Sequence, residues 1–120
     1  MINDHSRLPQ VIHQRITQIK DETQVELDIL FHHDLVFFKG HFENAPILPG
    51  IAQTDFVIAF SDYFLGIDKK AITNIPQLKF SRVILPNTKL KLCISKKSNL
   101  LLFRYIDKDN LTYSSGKIKL

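Results

Sequence analysis

Ile51-Ala52-Gln53-Thr54-Asp55-Phe56-Val57-Ile58-Ala59-Phe60-Ser61-Asp62-Tyr63-Phe64-Leu65 is the stretch on which the fold turns. No Pro or Gly interrupts it between Gly50 and Gly66, and apolar residues occupy most of its faces. The pattern predicts one helix, about 25 Å long at ~1.5 Å per residue. Gly66 is suited to the left-handed stop that ends many helices. A helix apolar nearly all round is a buried one, so this one calls for cover on every side.

The flanking segments supply that cover. Upstream, Val25, Leu27, Ile29 and Phe31 alternate with Glu26, Asp28 and Leu30, the pattern of a half-buried strand. Apolar residues at 12, 16 and 19 fit helix or strand. With Asp21-Glu22-Thr23 as a turn, 11–31 is predicted to be a hairpin. Downstream, four segments read as strands: Ile75 to Leu85 with Pro76 at its edge, Leu90 to Ile94, Leu100 to Ile106, and Leu111 to Leu120. Short turns at Ser98-Asn99 and Asp107–Asn110 imply antiparallel pairing. One helix and about six strands predict an α+β domain in which a curved antiparallel sheet wraps the helix, or a second subunit covers what the sheet leaves open. That is the hotdog arrangement.

The chain has 120 residues, one domain's worth, and the expected domain is 1–120. A single cysteine, Cys93, excludes an internal disulfide and a cysteine-based zinc site. Residues 1–68 carry Arg7, Arg15, Lys20 and Lys39 against ten acids, a net of −6. Residues 69–120 carry twelve Lys/Arg against Asp107 and Asp109, a net of +10. The asymmetry hints at an acidic partner, but the basic residues alternate with apolar ones, as solvated strand faces do. No nucleic-acid binding is expected from that pattern. The polar N-terminus has no signal core, and no apolar run approaches the ~20 residues of a membrane helix. The expectation is a soluble cytoplasmic protein without membrane contact.

Residues 32–49 form a long loop carrying Phe37, Phe38, Phe42, Ile47 and Leu48, and loops of that length are usually functional. Its His41 stands between Gly40 and Phe42 in apolar company, which suits a neutral imidazole able to take a proton. The plain alternative is a buried histidine bonded to backbone. Asp55 lies in the first turns of the predicted helix, where a buried carboxylate would need a partner; the alternative is a charge favoured by the helix dipole. Loop histidine and helix acid make a plausible acid–base pair. Gly50 opens the helix, so its amide lacks an intrahelical partner and can meet a carbonyl gaining negative charge, unless the glycine serves turn geometry only. His5 and His13 read as surface residues. His32 and His33 offer two metal ligands without a third at recognisable spacing, so neither metal nor cofactor is expected.

The run Phe37-Phe38-Lys39-Gly40-His41-Phe42-Glu43-Asn44-Ala45-Pro46-Ile47-Leu48-Pro49-Gly50 resembles the signature of the 3-hydroxyacyl-[acyl carrier protein] dehydratases, the FabA/FabZ group. The acid fourteen residues after the histidine matches Asp55, and Leu78-Lys79-Phe80-Ser81-Arg82-Val83-Ile84-Leu85-Pro86 is similar to a downstream strand of that group. Pro-Ile-Leu-Pro-Gly-x-x-Gln-x-Asp looks closest to the ApeI-like dehydratases of aryl polyene synthesis. The resemblance implies a hotdog dimer with sites at the subunit interface, histidine from one subunit and acid from the other. It implies that His41 removes the α-proton of a 3-hydroxyacyl thioester, that Asp55 helps the β-hydroxyl leave as water, and that the Gly50 amide binds the thioester oxygen. It further implies an apolar acyl tunnel, to which we assign Phe37, Phe38, Phe42 and Pro49. The partner would be acyl carrier protein, with Lys69, Lys70, Lys79 and Arg82 as docking candidates.

Two positions depart from the pattern. Glu43 replaces the usual Pro, and Ala59 stands where many members have Gln. They leave two other readings open, a hotdog acyl thioesterase and a non-catalytic subunit that binds acyl carriers.

Overall fold

A computed structural model of the chain describes residues 5–39 and 46–120. Strands β1 (Gln10–Ile19) and β2 (Glu22–Phe31) form the hairpin, and helix α1 spans Gly50–Leu65. β3 (Asn74–Phe80), β4 (Thr88–Lys97), β5 (Leu100–Ile106) and β6 (Thr112–Lys119) follow. All six strands join one antiparallel sheet in the order β1-β2-β4-β5-β6-β3.

Alternation decides which strand face is covered. In β2, Val25, Leu27, Ile29 and Phe31 are buried, while Asp28 is exposed and Glu26 half-buried. Leu90, Leu92 and Ile94 of β4 and Leu101, Phe103 and Tyr105 of β5 extend the same surface. Against it α1 lays Ala52, Phe56, Val57 and Phe60. Gly66 ends the helix with φ of 67°, its amide returning to the Asp62 carbonyl at 2.9 Å.

The helix touches widely separated strands. Phe56 packs on Phe31 of β2 with ring centroids 6.3 Å apart, Tyr105 of β5 and Ser114 of β6 bond to Gln53, and the Phe80 ring of β3 lies against Gly50. Laid flat, β2 and β3 would stand about 19 Å apart, at ~4.8 Å per strand step. A helix about 10 Å across meets both only if the sheet curls around it. This is the hotdog architecture expected from the sequence.

The cover stops short of enclosing the helix. Ile51 is 75% exposed and Tyr63 61%, and Asp55 and Asp62 are exposed too. Positions 51, 55 and 62, with half-buried Ile58 and Ala59, stack on one helical face. Within one chain the helix is therefore not buried all round and Asp55 is exposed, so of the two expected covers the sheet supplies only its own side. A single sheet curls round one side of a helix and leaves the other open.

A correction concerns β3. It ends at Phe80, not Leu85. The Ser81 and Arg82 amides both donate to the Tyr113 carbonyl, at 2.9 and 3.1 Å, so the ladder to β6 loses its register there. The chain leaves the sheet, and Ile84 turns inward to full burial.

Candidate functional site

The approach to the helix is built by backbone bonds. Leu48 is buried, and its amide donates to the Ile84 carbonyl at 2.9 Å, joining the loop before α1 to the segment after β3. Pro49 caps the helix in an extended conformation, and its carbonyl accepts from the Ala52 and Gln53 amides at 3.1 and 3.3 Å. No side chain caps this end and no acid lies in the first turn. The Gly50 and Ile51 amides are thus among those a helix start leaves without intrahelical partners.

Gly50 has a packing reason of its own. A Cβ there would stand 2.8 Å from Cε2 of Phe80, closer than real side chains approach. The glycine lets β3 close down on the helix start.

Gln53 fixes the first turns to the sheet. Its carbonyl accepts from the Tyr105 hydroxyl at 2.7 Å, and its Oε1 accepts from the Ser114 hydroxyl at 2.7 Å. Its Nε2 donates to the Leu48 carbonyl at 3.4 Å, and the Thr54 hydroxyl donates to the Gly50 carbonyl at 3.2 Å. Burial pushes the Tyr105 hydroxyl well above the usual phenol range, so it remains a donor. The polar group beside Asp55 therefore divides: Gln53 and Thr54 face inward and are satisfied, while Asp55 faces out. Sequence reasoning missed Tyr105 and Ser114. The inward phase of β5 and β6 places both toward the helix but does not identify their partner.

The preceding loop packs from another side. Phe38 is buried, and the half-buried Phe37 meets Phe56 edge-on with centroids 5.5 Å apart. The Arg7 guanidinium lies over the Phe37 ring at 5.8 Å. His41 and Phe42 lie outside the described residues, as do Gly40 and Glu43.

The four basic candidates fall into two pairs. Lys79 precedes Phe80, whose ring touches Gly50, so Lys79 and Arg82 lie at the helix start. Lys69 and Lys70 follow closely on Leu65 and so lie at the helix end. All four are exposed. Around the helix start, Leu78, Phe80, Val83 and Leu85 are between 42% and 55% exposed, and β3 is a sheet edge with no strand beyond it. Pro76 is tolerated in β3 for that reason. A hollow of about 480 Å³ is lined by residues that include His13, Asp28, Lys91 and Lys108, with no residue of α1. It is not this site.

Comparison with known proteins agrees with that architecture. The family model described as ApeI-like, ApeI dehydratase, matches residues 17–117. An uncharacterised protein from Erwinia carotovora subsp. atroseptica is similar at 33% identity and a TM-score of 0.81, over 92% of this chain and 94% of that one. A chain of the dehydratase heterocomplex ApeI:P from Xenorhabdus doucetiae is also 33% identical, with a TM-score of 0.75, over 92% and 96%. A proposed thioesterase, yhdA of Lactococcus lactis, shares the fold alone, at 9% identity and a TM-score of 0.59.

Proposed function

The chain belongs to the ApeI-like dehydratase family, and on that premise we propose that it dehydrates a 3-hydroxyacyl thioester held on acyl carrier protein to the trans-2-enoyl thioester, as in fatty acid or aryl polyene synthesis. The observation that carries this reading is the position of Asp55. It stands exposed one turn into a helix with no side-chain cap, and the first amide of that helix, at Gly50, would meet the thioester oxygen. In this reading His41 takes the α-proton and the electrons of that C–H bond form the double bond. The bond to the β-hydroxyl breaks, and Asp55 assists its departure as water. The Gly50 amide holds the thioester oxygen while charge develops on it. Phe37, Phe38, Phe42 and Pro49 guide the acyl chain.

The working unit we propose is a dimer, most simply of two identical chains. The open face of α1 and the unpaired apolar edge at β3 support it, because a second subunit would cover both. Asp55 would then meet the histidine of the other subunit. The similar ApeI:P assembly is a heterocomplex, so a second, different hotdog subunit is the other partner to try.

The test is turnover of a 3-hydroxyacyl-carrier substrate, followed by absorbance of the conjugated enoyl product. The reading requires product with wild type and its loss with His41→Ala in a folded protein. Free thiol without enoyl product would make the protein a thioesterase. Carrier binding without turnover, alone or with a second subunit, would make it a non-catalytic one.

A further inference from the structure

The segment before β1 is strapped across the loop that follows β2. The Val36 amide donates to the Ser6 carbonyl at 2.9 Å, Leu8 is buried, and Arg7 covers Phe37. This strap carries His5 onto His32, with ring centroids 4.1 Å apart and planes 8° from parallel. His5 Nε2 lies 3.3 Å from Oδ2 of Asp34. One ring nitrogen from each of these histidines and one Asp34 oxygen lie within 4.8 Å of one another. Of the two histidines weighed in the sequence only His32 joins this group, with Asp34 close by in the chain and His5 brought from the N-terminal strap by the fold.

A second observation points to an ion. His32 is 6% exposed, and its Nε2 sits 3.2 Å from the Leu8 carbonyl. A carbonyl only accepts, so Nε2 carries the hydrogen and Nδ1 is left with a lone pair. That Nδ1 is buried with no hydrogen-bond partner among the described residues. Buried polar atoms without partners are few and call for an explanation, an ion among them. Metal-binding histidines characteristically donate their other ring N–H to a backbone carbonyl, as His32 does.

We propose that His5, His32 and Asp34 bind a divalent transition-metal ion of the zinc class. Two imidazoles and one carboxylate suit that class and not calcium or magnesium, which take oxygen ligands. His5 is exposed, so its ring can turn out of the stack to aim at the ion. His33, with Nε2 3.2 Å from the other Asp34 oxygen, orients the carboxylate. The ion would pin the N-terminal strap to the start of the loop that leads to His41.

The experiment is calorimetric titration of Zn²⁺ into the tag-free, chelator-stripped full chain. One ion per chain is expected, with affinity at least tenfold weaker in His5→Gln and in Asp34→Asn. Both sites are exposed, so both variants should keep the wild-type circular dichroism. His13→Gln, whose exposed ring lies outside this group and against its neighbour's carbonyl, should bind as wild type does. Co²⁺ in place of zinc should give visible bands that disappear in His5→Gln. No uptake by wild type, or equal affinity across all four proteins, overturns the proposal.

Discussion

Tyr105 donates its hydroxyl hydrogen to the backbone carbonyl of Gln53 at 2.7 Å, tying the middle of the sheet to the helical turn that carries Asp55. The bond reaches across 52 positions of sequence and is fully buried. Ser114 grips the side chain of the same residue from the next strand. Asp55 follows two residues later and is exposed, on the other side of the same turn.

Tyr105→Phe should therefore destabilise the fold by about 0.5–1.5 kcal/mol, since it removes a buried hydrogen bond to a carbonyl that still keeps its helical partner. The pH dependence has a definite sign. Burial raises the Tyr105 pKa in the folded state. Its contribution to stability is present in full below the unfolded phenol value of about 10 and is lost as pH rises above it. Denaturant unfolding between pH 7 and 11 should show the wild type losing stability toward Tyr105→Phe at the alkaline end. Parallel curves would sink the argument.

Asp55→Asn separates folding from chemistry. The side chain is exposed, so stability should stay within about 0.5 kcal/mol of wild type. Turnover should fall by roughly 10²–10⁴, the usual worth of a positioned acid–base group. Comparable turnover in the variant would remove Asp55 from the mechanism.

Gly50→Ala tests why a glycine begins the helix. The new methyl would stand 2.8 Å from the Phe80 ring. That ring is 45% exposed and can swing aside, so the cost should be near the lower end of overpacking, about 1 kcal/mol. In the background of Phe80→Ala the same substitution should cost nothing measurable. A double-mutant cycle with no coupling would mean that close approach is not the glycine's purpose.

The sequence was most legible where one contact rule acts alone. Alternation predicts β5 as Leu100–Ile106, and the observed strand has the same bounds. The breaker-free run with Gly66 after it predicts α1 as it stands. The end of β3 is not legible, because Leu78, Phe80, Ile84 and Leu85 continue an apolar pattern while the strand is ended by two amides converging on the distant Tyr113 carbonyl. The exposure of Asp55 was hidden for a different reason. Apolar content says how much of a helix wants cover, and says nothing of whether its own chain or another supplies it. The His5–His32–Asp34 group was invisible because it is assembled by a strap and not by spacing. His41 lies outside the described residues, so its pairing with Asp55 stays a proposal.

Ile51→Lys tests the proposed second subunit. Ile51 is 75% exposed on the same helical face as Asp55. In a lone chain the change should cost almost nothing. At a dimer interface it buries a charge without a partner, so light scattering should show the mass falling to that of one chain, with turnover lost and circular dichroism unchanged. A variant that stays dimeric and active would move the interface elsewhere.

The basic residues can be sorted by the same geometry. In the proposed reaction a carrier protein would bring its thioester to the helix start, and among the four candidates only Lys79 and Arg82 flank Phe80, whose ring lies against Gly50. Reversing both to Glu should raise KM at least severalfold with little change in kcat, and the effect should shrink as salt screens the charges. Reversing Lys69 and Lys70, at the far end of α1, should leave KM unchanged. The opposite result, with Lys69 and Lys70 governing KM, would mean that the carrier reaches the site from the other end of the helix. In that case the partner subunit, not this chain, would present the docking surface beside Gly50.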